Sequence, residues 1–119
     1  MKHAPRQYKR IYLTFYLRIF ENDSFLGFLL DISREGMMMM SEFALKENKS
    51  YNLKMKVPSS LERKEQKEAG GYIEFTATCK WTKNDDADRD FFLSGFEFTS
   101  VSEEAHAIIH RVIEEYRLP

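Results

Sequence analysis

Cysteine occurs once, at Cys79, so the chain can close no internal disulfide. That usage fits a reducing compartment, and a cytoplasmic location is the expectation. No apolar run approaches the length of a membrane-spanning helix. The opening stretch "MKHAPRQYKR" lacks the apolar centre of a secretory signal. Histidine is scarce: His3, His106 and His110. The last two are one helical turn apart, but no further His or Cys cluster joins them, so no metal site is expected. No serine stands in a nucleophile-elbow pattern, and no glycine pattern forms a phosphate loop. Carboxylates are plentiful but scattered over loops. Enzymatic activity is therefore not expected. A net charge of -1 argues against a general nucleic-acid binder, whose affinity rests on phosphate neutralisation. Acid is also missing locally. From Met1 to Arg18 there is none, while Lys2, Arg6, Lys9, Arg10 and Arg18 are basic. Such an excess can meet an anion, and it is equally what a solvated basic tail looks like.

What is present is a core and a strand rhythm. The 119 residues suit one domain, and at 43% hydrophobic and 14% aromatic they hold enough apolar surface to bury. "IYLTFYLRIF" (Ile11 to Phe20), "FLGFLLDIS" (Phe25 to Ser33), "MMMMSEF" (Met37 to Phe43) and "YNLKMKV" (Tyr51 to Val57) read as strands. Gly27 marks a bulge or bend in the second. "GYIEFTATCKWTK" alternates most clearly, with Ile73, Phe75, Ala77, Cys79 and Trp81 on one face. "FFLSGFEFTS" gives a sixth strand. The end is helical over about 102–117: Ser102 suits an N-cap, Glu103 and Glu104 the first turn, and Arg117 the far end. Ala105, Ile108, Ile109, Val112, Ile113 and Tyr116 form its apolar stripe. Short connections imply antiparallel pairing. The expected fold is all-β with one C-terminal helix: a six-stranded antiparallel barrel over 11–119, preceded by a flexible basic segment over 1–10.

Two short stretches depart from that plain reading. In "LLDISREGMMMM" the apolar run is broken by Asp31 and Ser33, then stops at Gly36. If Leu30 and Ile32 face the core, Asp31 and Ser33 share the outer face as a small polar platform. The same pair also suits a polar strand end folding into a turn. Gly36 permits a backbone angle or close approach that a side chain would block. The four methionines fill irregular space on both faces. In "RQYKR", Arg6 and Arg10 lie on one side of the chain. Paired guanidiniums fork onto phosphate, stack on flat rings and bond guanine O6 and N7. Asp31 offers the complement, because a carboxylate can accept from the guanine N1–H and exocyclic amine.

Arg6-x-x-x-Arg10 followed by Asp31-x-Ser33-x-x-Gly36 resembles the bipartite signature of PilZ domains. "LSGFEF" resembles the closing Gly-x-x-Phe strand of that family, with Gly95 and Phe98. The resemblance implies a six-stranded barrel binding cyclic di-GMP, with Arg6, Arg10, Asp31, Ser33 and Gly36 at the ligand. Lys9, Arg34 and Trp81 are further candidates. Trp81 stands where some members place a ring-contacting tryptophan, though its alternation with Cys79 favours a core or rim role. The implied function is a receptor or adaptor whose N-terminal segment closes over the ligand and signals to a protein partner. It needs no other cofactor. Two alternatives remain: a barrel of this family that binds no nucleotide and works as a protein-interaction module, and a small barrel for single-stranded nucleic acid.

Overall fold

The computed structural model describes residues 11–57 and 71–116. Six strands form in chain order: β1 (Ile11–Glu21), β2 (Ser24–Ile32), β3 (Gly36–Ser41), β4 (Ser50–Lys56), β5 (Tyr72–Asn84) and β6 (Phe92–Ser100). Helix α1 (Glu103–Tyr116) comes last. The strands close into an antiparallel barrel in the order β1-β2-β3-β6-β5-β4. Closure pairs neighbouring backbones all the way round and removes the sheet edges an open sheet would expose. The expected architecture is the observed one.

Period two explains which face each strand buries. On β5, Ile73, Phe75, Ala77 and Cys79 are at most 5% exposed, while Glu74 between them is exposed. Ile19, Leu29, Met39, Leu53 and Met55 meet them inside the barrel, each at most 1% exposed. Helix α1 starts where expected: Ser102 Oγ accepts from the Ala105 N–H at 3.1 Å, and the Ser102 carbonyl from His106 N–H at 2.9 Å. Its Ala105, Ile109 and Val112 join the core, with Ile108 and Ile113 packed beside them. Arg117 lies outside the described residues. Asn22, at φ 56°, makes the tight β1–β2 turn, an angle asparagine tolerates better than most residues.

Bulges break the strand rhythm, among them two on β2 and one on β5. Leu26 is the extra residue where Ile19 pairs with Gly27 and Phe20 with Phe25. Leu30 is extra where Leu29 pairs with Met39 and Asp31 with Met38. Lys80 is extra where Cys79 pairs with Phe96 and Trp81 with Gly95. Each bulge reverses the in-out phase of the residues after it. The core face of β2 is therefore carried by Leu29 and Ile32, not by Leu30 and Ile32; Leu30 is half-buried. On β5, Trp81 leaves the phase of Cys79, contrary to a plain alternation through both.

Candidate functional site

The bulges at Leu30 and Lys80 flank the β3–β6 pair and bring four positions into line on the outer wall. Asp31 on β2 pairs with Met38 on β3, Met38 with Gly95 on β6, and Gly95 with Trp81 on β5. At the usual spacing between strands this row is roughly 14 Å long. The inward row beside it is Ile32, Met37, Phe96 and Cys79, all at most 5% exposed. One row fills the core, and the other forms a surface.

Each member of the outer row has a local reason. A Cβ on Gly95 would run into the Trp81 indole, at Nε1 and Cε2, so glycine is what lets the ring lie across β6. That gives the Gly-x-x-Phe pattern a physical reason: Gly95 makes room for Trp81, and Phe98 packs edge-on against Phe75 at 5.3 Å. Met38 and Met40 stand half-buried on the wall, while Met37 and Met39 point inward at 3% and 0% exposed. The methionine run thus serves both faces, as expected, and its outward half supplies a soft apolar strip between Asp31 and Trp81. Phe28 and Leu93 pair with Met40 and extend the strip. The spacing of two in the run could have marked Met38 and Met40; Phe28 and Leu93 carry no such signal.

Asp31 lies on this outer wall by register, but its side chain is fully buried, at 0% exposed. An exposed polar platform is therefore not what the fold presents. Ser33 comes just after the end of β2 and belongs to the turn into β3. Its N–H donates to the Gly36 carbonyl at 2.8 Å, and its Oγ accepts from the N–H groups of Glu35 and Gly36, each at 3.3 Å. Of the two sequence readings, the turn describes Ser33, and a buried outer-wall carboxylate describes Asp31. Gly36 is a close approach: a Cβ there would collide with the Phe96 carbonyl of β6. The same turn is tied to β6 by Phe98 N–H donating to the Glu35 carbonyl at 2.7 Å. Arg34 lines a cleft of about 420 Å³ with Glu35, His106, Ile109, His110 and Ile113, on the side of α1. Arg6, Lys9 and Arg10 lie outside the described residues. Ile11, the residue after Arg10, pairs with Ile32, and Tyr12 pairs with Asp31.

Cys79 is free, buried, and inward-facing. Burial pushes its thiol up to about 11, against a smaller opposite pull from the Trp81 backbone; Sγ also donates to the Trp81 carbonyl at 3.4 Å. Such a thiol is a poor nucleophile. Among the described residues, no group of three or more His, Cys, Asp or Glu is placed to hold a metal ion.

The family described as PilZ domain matches residues 4–115. This chain belongs to the PilZ domain family. Solved PilZ-type structures share its fold. The PilZ domain with c-di-GMP of YcgR from Escherichia coli superposes with a TM-score of 0.66 at 20% identity, over 93% of this chain and 90% of that one. Bacillus subtilis inhibitor of motility, MotI/DgrA, gives 0.68 at 16% identity, over 94% of this chain and 51% of its own. The PlzA protein of Borreliella burgdorferi, in complex with c-di-GMP, gives 0.55 at 12%, over 89% and 49%. The chain thus spans about half the length of MotI and of PlzA. No relative matches among curated proteins. No described helix of this PilZ domain is long and apolar enough to cross a membrane.

Proposed function

We propose that this PilZ domain is a receptor for cyclic di-GMP, gripping it between the basic N-terminal segment and the outer wall. The observation that carries the reading is the row Asp31, Met38, Gly95, Trp81, which ends against the strand that continues from Arg10. Support comes from family membership and from two fold neighbours, the YcgR domain and PlzA, solved with that ligand. Arg6 and Arg10 would fork onto phosphate or guanine edges, with Lys9 and Arg34 adding charge. Asp31 would accept from guanine N1–H and the exocyclic amine. Met38 and Trp81 would lie against the flat purine. Ser33 would act mainly by fixing the turn, and Gly36 by letting that turn lie against β6.

Asp31 is fully buried, so ligand contact requires it to become accessible. Binding is thereby coupled to a rearrangement, which the ligand's differential contacts must drive. Ordering a polar segment costs roughly 1–2 kcal/mol per residue fixed. A protein partner in a bacterial cytoplasm would read the altered surface. Titration calorimetry with cyclic di-GMP, and GTP as control, tests the proposal. Arg10→Ala should weaken binding by about 1.5–3 kcal/mol, the scale of a charge-assisted hydrogen bond. No heat from cyclic di-GMP at millimolar concentration would end the receptor reading.

One observation favours a second reading, a PilZ interaction module without nucleotide. Ser33, Gly36 and Gly95 each have a purely structural reason to be what they are. A wild-type chain that is folded but silent in the titration would select it.

A further inference from the structure

The pairing of β4 with β5 runs from Lys56 and Tyr72 to Ser50 and Thr78. Beyond Thr78, the connection between β3 and β4 lies along the edge of β5 in place of a strand. Asn48 N–H donates to the Cys79 carbonyl at 2.6 Å, and Cys79 N–H to the Lys49 carbonyl at 2.9 Å. Past the bulge at Lys80 and past Trp81, the Thr82 N–H donates to the Glu47 carboxylate at 3.2 Å. A side-chain carboxylate thus stands where the carbonyl of a neighbouring strand would be. The connection is itself anchored. Leu45 is buried, and Lys46 N–H donates to the Tyr51 hydroxyl at 3.0 Å. Asn48 takes φ 67°, a left-handed angle that asparagine tolerates.

Trp81 therefore sits between two fixed points. On one side Cys79 exchanges two backbone bonds with the connection, and on the other Thr82 is held by Glu47. Between them lies the bulge that takes Trp81 out of the inward phase. A bulge leaves its extra residue unpaired and disrupts the ladder locally, so the residue beside it depends on the bonds at either end. Those bonds are of different kinds. Thr82 is also tied inward, where its Oγ1 accepts from Ser94 Oγ at 2.9 Å, but its N–H rests on an ionised acceptor, which bonds more strongly than a neutral one. The charge of Glu47 is felt at Cys79 too, where, behind burial, it helps to push the thiol up. Gly95 gives the indole its room, and Glu47 fixes the backbone from which the indole projects. We propose that Glu47 is a positioning residue for the ligand: it holds the bulge that sets Trp81 across β6, and so sets the ring against the purine. This role deepens the receptor reading and rests on it.

Trp81 is the only tryptophan, so its emission reports the ring before any ligand is added. Glu47→Ala removes the acceptor. It should red-shift that emission and raise quenching by acrylamide, while far-ultraviolet circular dichroism stays that of the wild type. Glu47→Gln keeps a carbonyl oxygen at the same reach and should restore most of both signals. Glu42→Ala, at another exposed carboxylate of the same connection, should change neither. In calorimetry Glu47→Ala should weaken cyclic di-GMP binding about threefold to tenfold, the scale of one aromatic contact, with Glu47→Gln close to the wild type. Should Glu47→Ala fail to fold, Glu47→Ser, whose hydroxyl is too short to reach Thr82, takes its place. Unshifted emission in Glu47→Ala, or a Glu47→Gln chain as perturbed as Glu47→Ala, would overturn the proposal. So would full affinity in Glu47→Ala beside a wild type that binds, and that result would leave the receptor reading standing. A wild type that binds no cyclic di-GMP would end the receptor reading and this role with it.

Discussion

Met37 and Met39 point into the barrel, while Met38 and Met40 stand on its outer wall. The four side chains are chemically identical and consecutive. Met39 pairs with Leu29 and Ser94 in the fully buried core row. Met38 pairs with Asp31 and Gly95, in line with Trp81. The difference between them is one of face, set by the pleat and by the bulges on either side. Residue type alone does not say which methionine holds the fold together and which is available to a ligand.

Substitution can break that comparison most strongly at its buried member. Met39→Ala removes a fully buried side chain from a packed interior and should cost about 2–5 kcal/mol in urea unfolding. Met38→Ala should cost less than about 1 kcal/mol, as a wall position does. Equal losses would mean that the two faces are not energetically distinct.

Cys79 and Trp81 sharpen the comparison on β5. The Cys79 thiol, raised from 9.0 to about 11 by burial, holds its proton more tightly in the folded than in the unfolded chain. Its contribution is therefore complete below pH 9 and lost as pH rises through about 11. At 1.36 kcal/mol per pH unit this amounts to about 2–3 kcal/mol. The stability gap between wild type and Cys79→Ala should narrow across that window. A constant gap would show that the thiol is not buried as described. On the other wall, Gly95→Ala should force the Trp81 indole off β6. That overpacking should cost about 1–3 kcal/mol and red-shift the emission of the only tryptophan. Unchanged emission would show that the ring does not lie there. The smallest effect belongs to the receptor proposal. Met38→Ala should weaken cyclic di-GMP binding by about 1 kcal/mol, the scale of a sulfur–aromatic contact, and undiminished affinity would remove Met38 from the site.

The barrel is legible in the sequence because alternation and turn chemistry repeat. Ile73 to Cys79 shows the period directly, and Ser102 announces the helix. The family is legible through the spacing of Asp31, Ser33 and Gly36. The faces near the candidate site are not. A bulge inserts a residue without any characteristic side chain, so neither Leu30 nor Lys80 marks itself in the sequence. Asp31 can be assigned to the outer wall but not seen to be covered. Trp81 reads in phase with Cys79 because nothing between them but Lys80 says otherwise. Ser33 is a serine in a polar turn, and only its hydrogen bonds to Glu35 and Gly36 show that the turn uses its hydroxyl.

Leu30 and Lys80 have one more consequence. They behave as compensated frame shifts, since chain length rather than composition decides which residues are read on which side. Excising Leu30 would leave Leu29, Asp31 and Ile32 facing Met39, Met38 and Met37 in plain alternation, with Asp31 still on the outer wall and Ile32 still in the core. Cooperative unfolding should therefore survive that deletion as well as Leu30→Ala, whereas inserting one residue between Asp31 and Ile32 should abolish it. Loss of a residue at those two points then leaves the faces of the wall as they are, while the same loss elsewhere along these strands reverses them.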